Sequence, residues 1–202
     1  MTKTLYRTTL HRALIGLTVA GFLTLAAAQQ DANSMGAGAA SGNSAKPGMS
    51  DQRFMKEAAQ GGMAEVELGK LAVQNASSDE VKKFGQRMVD DHSKANDKLK
   101  ELASAKGITL PQAPNAKQKA TKDQLSKLSG EQFDKAYMRD MLKDHKQDIA
   151  AFQSESNIGH DADVKNFATQ TLPTLRDHLK DAQGIAPKVL QARSSIQPTS
   201  SQ

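Results

Sequence analysis

The sequence predicts an all-α protein whose folded part is a single antiparallel four-helix bundle. Apolar residues recur at spacings of three and four along four long segments, as they do on the buried face of an amphipathic helix. No stretch shows sustained strand alternation bounded by turn residues. Two of the connections between the segments are short and one is long, which indicates two antiparallel helical hairpins joined by a connector.

The first predicted hairpin covers residues 51–106. Its first helix is predicted over residues 51–76. Ser77, with Glu80 three residues later, is typical of a capping box and is predicted to open the second helix. That helix is predicted to end before Gly107, because glycine readily adopts the left-handed conformation that follows many helices.

The second predicted hairpin begins at Ser129, which precedes an acidic first turn. Its first helix is predicted over residues 129–156. Asp161 is the predicted N-cap of the last helix, and Gly184 its predicted end.

The long connector, residues 107–129, contains a predicted short helix over residues 116–128. A bundle helix of ~26 residues is ~39 Å long at 1.5 Å per residue, and the connector is long enough to span that distance. It can therefore cross the whole bundle, so that the second and third long helices run in the same direction. An up-down-up-down bundle with a decorated loop is the alternative.

The N-terminus predicts export. Three basic residues precede an uncharged apolar run, residues 13–25, and small residues then lead up to a cleavage site after Ala28. Residues 1–28 are therefore interpreted as a Sec-type signal peptide, too short in its apolar part to span a bilayer. The predicted organisation continues with a flexible linker (29–50), the bundle (51–183) and a disordered tail (184–202).

Composition argues against several classes of function. The formal charge is +5, but three of the 27 basic residues lie in the predicted signal peptide, which has no acidic residue. The remainder carries 24 basic against 22 acidic residues, so we expect no nucleic-acid partner. The absence of cysteine excludes disulfides, thiolate ligands and a cysteine nucleophile. We also expect no stable membrane insertion after cleavage, in the periplasm or outside the cell.

One ionisable residue per long helix is predicted to point inward. His92, His145 and His178 lie on the apolar stripes of the second, third and fourth long helices, and Glu65 lies on the inner face of the first. At 1.5 Å per residue, all four lie ~18–28 Å from the turn of their hairpin, near the middle of the bundle. A carboxylate and three imidazoles at one depth predict a metal site. Glu67 is a second choice because it points elsewhere.

Other residues next to the histidines are candidate outer-shell groups or alternative ligands. Asp91, Asp144 and Asp177 each directly precede one of the three histidines, so each can accept a hydrogen bond from an imidazole of an adjacent helix. Met88 and Met141 lie one helical turn before a histidine, and a thioether beside an imidazole favours copper. Methionine is also common in irregular cores, so packing is the alternative interpretation.

The chain contains the motifs Glu65-Val66-Glu67-Leu68-Gly69, Met88-Val89-Asp90-Asp91-His92, Phe133-Asp134 with Tyr137-Met138, Asp144-His145, and Leu172-Pro173-Thr174-Leu175 with His178. Together they resemble a family of exported, ferritin-like bundle proteins from the bacterial outer membrane or periplasm that is catalogued as a domain of unknown function. The resemblance covers about residues 54–182. It implies a ferritin-like fold and export, and it implies no established activity.

The chain departs from ferritin-type di-iron proteins in one respect. Those proteins carry a Glu-x-x-His pair on two helices, whereas Val89, Leu142 and Leu175 stand three residues before the histidines here. We therefore do not expect ferroxidase chemistry.

The leading hypothesis is an exported, non-enzymatic bundle that binds one transition-metal ion (copper, iron, zinc or manganese) in metal handling or envelope stress protection. The first alternative is a structural or interaction protein of the envelope with a metal-free polar core. An oxidase or peroxidase on the same scaffold is the second. The sequence does not identify a protein partner.

The mature protein is predicted to begin at Gln29. Mass spectrometry of the protein recovered from the periplasm or culture medium should give a mass without residues 1–28. Membrane-bound protein that retains those residues would contradict both the cleavage site and the location.

Overall fold

The computed structural model describes residues 46–191 and has helices as its only regular secondary structure there. The predicted signal peptide and residues 29–45 of the predicted linker lie outside the described residues, as do residues 192–202. No helix within the described range is long and apolar enough to cross a membrane. The helices are α1 (Met49–Asn75), α2 (Asp79–Ala105), α3 (Ala116–Leu125), α4 (Gly130–Ile158) and α5 (Ala162–Gln191).

The four long helices form two hairpins, α1 with α2 and α4 with α5, and α1 also packs on α4 and α2 on α5. Polar contacts fix the directions. Ser77, after α1, binds Asp134 near the start of α4, and Lys188 near the end of α5 pairs with Glu80 at the start of α2. Neighbouring helices are therefore antiparallel, and α2 and α4 run in the same direction. The fold is the predicted ferritin-like bundle in its crossover form.

The connector crosses the bundle from the end of α2 to the start of α4. Its short helix α3 packs against α1 and α4, and the side chain of its N-cap, Asn115, accepts a hydrogen bond from Gln118 N at 3.0 Å. Gly107 and Gly130, at the two ends of the connector, have φ of 64° and 60°, a conformation that glycine adopts without strain. The predicted left-handed position after α2 is confirmed at Gly107.

Two buried aspartates join the hairpins at opposite ends of the bundle. Asp51 is fully buried, and its carboxylate accepts hydrogen bonds from the backbone N–H groups of His160 (3.0 Å) and Asp161 (3.2 Å) in the α4–α5 turn. Asp134 accepts from the N–H groups of Ser77 (3.1 Å) and Ser78 (2.9 Å) in the α1–α2 turn. Each hairpin therefore binds the turn of the other.

This use of Ser77 corrects one predicted cap. The N-cap of α2 is Ser78, whose hydroxyl accepts from Val81 N, and the predicted capping box of Ser77 with Glu80 is wrong. The hydroxyl of Ser77 donates to Asp134 instead, at 2.6 Å. The predicted cap of the last helix is confirmed, since the Asp161 carboxylate accepts from Val164 N at 3.1 Å.

The predicted end of the last helix at Gly184 is also wrong, because α5 continues through Pro187 to Gln191. Its last turns bury Ala186 and Val189 against the apolar cluster that α1, α2 and α4 form in that half of the bundle. This packing outweighs the weak helix propensity of glycine and the hydrogen bond that proline removes.

The core consists of two apolar clusters. One lies near the α1–α2 turn and contains Met88 and Met141, and the other lies near the α4–α5 turn and contains Leu99 and Phe152. The inward histidines occupy the level between them, since His92 and His145 fall between those residues along α2 and α4. The fold thus encloses one polar layer between two apolar ones.

The extension of α5 gives a stability prediction. A chain that ends at Gln183 should lose ~3–5 kcal/mol of unfolding free energy relative to a chain that ends at Gln191, because it lacks buried Ala186 and Val189. The thermal midpoint should fall by about 10 °C. Calorimetry of the two truncated chains tests this, and equal midpoints would mean that the last two turns contribute no stability.

Candidate metal centre

Three imidazoles meet in the polar layer. His92 on α2, His145 on α4 and His178 on α5 each offer a ring nitrogen, and these three atoms lie within 4.8 Å of one another. The three residues are 6%, 0% and 0% exposed. The three histidines that the sequence predicted to point inward are therefore brought together. Their positions on the apolar stripes of α2, α4 and α5 had predicted the inward direction of each one separately.

Glu65 lies against two of the imidazoles. Its Oε2 is 2.8 Å from His92 Nε2, and its Oε1 is 3.5 Å from His145 Nδ1. Neither Oε1 nor His92 Nε2 has a hydrogen bond of acceptable geometry within the described residues, although both atoms are buried. Glu65 thus lies at the edge of the three-histidine cluster, and its Oε1 is available to coordinate a cation.

The close approach of α1 and α2 lets His92 reach Glu65. A Cβ atom added to Gly69 would lie 2.6 Å from the carbonyl oxygen of Gly85, and one added to Gly85 would lie 2.6 Å from Ala72 Cβ. Both distances are shorter than real contacts allow, so the two helices touch through glycine backbone one turn from Glu65 and two turns from His92.

Hydrogen bonds to outer partners fix the tautomers of two histidines. His145 Nδ1 lies 3.0 Å from the carbonyl oxygen of Met141, which can only accept, so Nδ1 carries a proton. His178 Nε2 lies 3.0 Å from Asp91 Oδ2 and donates to that carboxylate. In the neutral rings, the remaining nitrogens, His145 Nε2 and His178 Nδ1, therefore both present lone pairs.

These two nitrogens are 3.3 Å apart. Two lone pairs at that distance repel each other unless a proton or a cation lies between them. Two ligands of a tetrahedral ion with bonds of ~2.05 Å are separated by about 3.3 Å. The pair therefore matches the separation that a bound metal ion requires.

The charges in the layer perturb the pKa values. Burial alone would raise the pKa of Glu65, but His92 and His145 outweigh it and lower that pKa to about 2. Burial opposes a charge on His92 as well, yet the Glu65 carboxylate raises its pKa. Burial lowers the pKa of His178 to about 4 in spite of its hydrogen bond to Asp91.

Asp91 is the one predicted outer-shell aspartate that contacts a histidine in the described structure. It lies on α2 and accepts a hydrogen bond from His178 of the adjacent helix, as predicted from its position next to His92. Arg87 Nε holds the same oxygen at 3.3 Å, and Arg87 also pairs with Asp181. Burial would raise the pKa of Asp91, but His178 and Arg87 outweigh it and lower that pKa.

The other predicted candidates lie elsewhere. Asp177 is exposed on α5, and Asp144 lines a pocket beside Glu65. Glu67 pairs with Lys122 of α3 at 2.8 Å, away from the histidines. Met88 and Met141 are fully buried in the apolar cluster next to the layer.

An acidic pocket between α1, α3 and α4 was not predicted from the sequence. It has a volume of about 210 Å³, and Glu65, Asp140, Asp144 and Asp148 contribute to its wall. Burial and the neighbouring carboxylates raise the pKa of Asp140 to about 6 and that of Asp148 well above its usual value. The positively charged groups around the pocket therefore do not fully neutralise its carboxylates. The spacing of one turn between the three aspartates was the signal that could have revealed it.

A buried tyrosine was missed as well. Tyr137 is fully buried, two turns before His145 on α4, and its hydroxyl has no hydrogen-bond partner within the described residues. Burial and the charge of Glu65 raise its pKa well above the usual value, so it stays neutral. Because Tyr137 lies on the apolar stripe of α4, its position did not distinguish it from an ordinary core residue.

Comparison with known proteins places the sequence in a family. Residues 36–185 match the family described as Domain of unknown function (DUF4142). The chain belongs to the DUF4142 family. This confirms the resemblance to exported proteins catalogued as a domain of unknown function. Among curated proteins, no sequence matches this chain.

Two crystal structures share the fold of this DUF4142 chain. A DUF305 fragment from Deinococcus radiodurans has a TM-score of 0.63 and 14% identity, covering 70% of this chain and 98% of its own. A DUF305 protein from Streptomyces coelicolor, described as secreted, has a TM-score of 0.61 and 11% identity, covering 72% of this chain and 96% of its own. At these identities the likeness shows the fold alone.

The lowered pKa of His178 predicts a pH-dependent stability of the metal-free protein. Between about pH 6.5 and pH 4 the unfolded chain binds a proton at this residue and the folded chain does not, so stability falls as the pH drops through that window. Urea unfolding should show that His178→Gln removes ~2 kcal/mol of the loss between pH 7 and pH 4.5.

The control is His160→Gln, at an exposed histidine in the α4–α5 turn. It should leave the pH slope of the wild type unchanged. Parallel curves for the wild type and His178→Gln would mean that His178 titrates alike in the folded and unfolded chains.

Proposed function

We propose that this DUF4142 protein is an exported, non-enzymatic bundle that binds one transition-metal ion in its polar layer. The observation that carries the proposal is the 3.3 Å separation of His145 Nε2 and His178 Nδ1, both left with lone pairs by their outer hydrogen bonds. A cation between them replaces a repulsion with two coordinate bonds. His92 is the third nitrogen donor and Glu65 the fourth ligand.

The unused capacity of Glu65 and His92 supports this donor set. Both carry a buried polar atom without a hydrogen bond, and bonds to a metal ion would satisfy both. The hydrogen bond from His178 to Asp91 is the carboxylate–histidine contact that orients many metal ligands. Three imidazoles and a carboxylate suit Zn²⁺ or Cu²⁺, and the affinity order of divalent ions favours Cu²⁺.

A mononuclear site fits better than a ferritin-type di-iron centre. The donor atoms that cluster within 4.8 Å come from the three histidines, and Asp140, Asp144 and Asp148 line the adjacent pocket instead. The missing Glu-x-x-His pairs point the same way. We therefore infer binding rather than oxidase chemistry.

We infer export of the protein from its N-terminal sequence. A basic stretch, an uncharged apolar run and small residues before Gln29 are typical of a signal peptide, and the absence of cysteine agrees with a role outside the cytoplasm. The Streptomyces coelicolor protein of the same fold is described as secreted. Metal handling or protection against envelope stress is the role we infer, without nucleic acid or membrane insertion.

The alternative is a metal-free polar core that only fixes the packing of the bundle. The hydrogen bonds of His145 and His178 to Met141 O and Asp91 favour it, because they satisfy one nitrogen of each ring without a metal. A proton shared between the two facing nitrogens would satisfy the others. The two proposals differ in their response to added metal.

The metal proposal predicts that the three histidines behave as one unit. Calorimetric titration of the full chain with Zn²⁺ should give one equivalent bound, and His92→Ala, His145→Ala or His178→Ala should each weaken binding by about tenfold or more. Zn²⁺ should also raise the thermal midpoint of the wild type. His160→Ala, at an exposed histidine, is the control and should bind normally.

Affinity should decrease as the pH falls below neutral. His92 must lose its proton to coordinate, and its pKa is raised above 6.5 by Glu65, so protons compete there first.

If the three histidine substitutions destabilise the metal-free protein and Zn²⁺ leaves the wild-type midpoint unchanged, the metal-free core is the correct interpretation.

Asp91 and Asp177 offer a matched pair of variants. Both directly precede a histidine, but Asp91 accepts the hydrogen bond of His178 and Asp177 is exposed. Asp91→Asn should weaken Zn²⁺ binding by about tenfold and Asp177→Asn should not change it. Equal affinities for the two variants would remove the orienting role of Asp91.

A further inference from the structure

The acidic pocket beside the metal centre is bounded by the bundle helices α1 and α4 and by the connector with its helix α3. Its charged wall consists of four carboxylates and two ammonium groups, and one of the carboxylates belongs to the metal centre. These residues are Glu65, Asp140, Asp144, Asp148, Lys117 and Lys143.

Glu65 connects the pocket with the histidines. It is 4% exposed and lines the pocket, while its Oε2 lies 2.8 Å from His92 Nε2. Its Oε1 is buried and accepts no hydrogen bond within the described residues, and the same holds for Asp140 Oδ2. A cation in the pocket would therefore find free carboxylate oxygens that lead to the imidazoles.

The opposite side of the centre is less suited to a cation. A smaller pocket of about 140 Å³ between α2 and α5 is lined by Asp91, Lys94 and Lys98 among its charged groups. Asp91 is already bound to His178 and Arg87 there. The two lysines outnumber the single carboxylate in this opening, whereas the acidic pocket has four carboxyl groups against two lysines.

We propose that the acidic pocket is the access route of the metal centre, where a hydrated divalent cation binds first to Asp140 and Asp148 before Glu65 passes it to the histidines. This inference rests on the proposed metal binding. Carboxylates are suited to the first contact because they bind a cation that keeps part of its water shell. The imidazoles then replace the remaining water in the buried layer.

A plugged pocket tests the route. Gly61 lies on α1 in the wall of the pocket, and an added Cβ would have Gln118 Nε2 as its nearest neighbour, at 4.0 Å. Gly61→Leu therefore fills the pocket without a clash at Cβ. Gly184→Leu is the matched control, since this helical glycine is exposed on α5 and an added Cβ meets no atom of the described structure within 4 Å.

Stopped-flow mixing of the metal-free full chain with Zn²⁺, followed by competition with a fluorescent indicator, gives the rate constants. Gly61→Leu should slow association and dissociation alike, by about tenfold, because passage then waits for local opening of the bundle. The dissociation constant should stay within about twofold of the wild type. Gly184→Leu should have wild-type rates.

A charge variant tests the route independently. The double variant Asp140→Asn with Asp148→Asn should lower the association rate constant by about tenfold and flatten its dependence on salt, because it removes two of the four carboxyl groups that would attract the cation. Asp90→Asn is the control, since Asp90 is exposed on α2. It should retain both the rate and the salt dependence.

The outcomes separate the route from the metal site itself. Wild-type association rates in both Gly61→Leu and the double variant, with Zn²⁺ still bound, would overturn the access route and leave the metal proposal intact. No Zn²⁺ binding by the wild type would overturn both. Slower association in Gly184→Leu or Asp90→Asn to the same extent would also overturn the route, because the effect would not be specific to the pocket.

Discussion

A carboxylate held in the middle of the bundle is the constraint on which the polar layer depends. Glu65 is 4% exposed, and an ionised group in such a place costs several kcal/mol unless a positive partner lies beside it. His92 supplies that partner at 2.8 Å, and each of the two groups has its pKa displaced toward the charged form. The contact requires α1 and α2 to approach through Gly69 and Gly85, so the sequence of the hairpin serves the site as well as the packing.

The polar layer also contains a histidine that stays neutral. The pKa of His178 is about 4, and its Nε2 proton is directed to Asp91, so its Nδ1 lone pair faces the centre at neutral pH. His92, by contrast, favours its protonated form through Glu65. Under the proposed metal binding, a divalent ion would therefore replace one proton on His92 with a double positive charge. Glu65 would then gain a stronger partner, and the group that is most costly to bury would be the one that holds the cation.

Much of this arrangement could be predicted from periodicity, because the side on which a residue lies follows from its position on a helix. The inward placement of Glu65 and the three histidines was predicted in this way. Contacts that depend on how neighbouring helices pack were not predicted. Asp91 and Asp177 have the same local context, yet the packing of α2 against α5 brings only Asp91 to a histidine of the described structure. The end of α5 was missed for the same reason, since burial of Val189 outweighs the local signal of Gly184.

The shared depth of the four residues depends on the two ends of the bundle. Asp51 and Asp134 each lie near the start of a hairpin and bind the backbone of the other hairpin's turn, which fixes how far one hairpin slides along the other. A slip of one helical turn would move His145 and His178 by ~5.4 Å relative to Glu65 and His92. That shift exceeds the 4.8 Å within which the three donor nitrogens lie, so one slipped turn would take the donor set apart. The two aspartates, ~16 Å or more from the histidines along the helices, therefore determine whether the polar layer has one site or two separate buried pairs, Glu65 with His92 and His145 with His178.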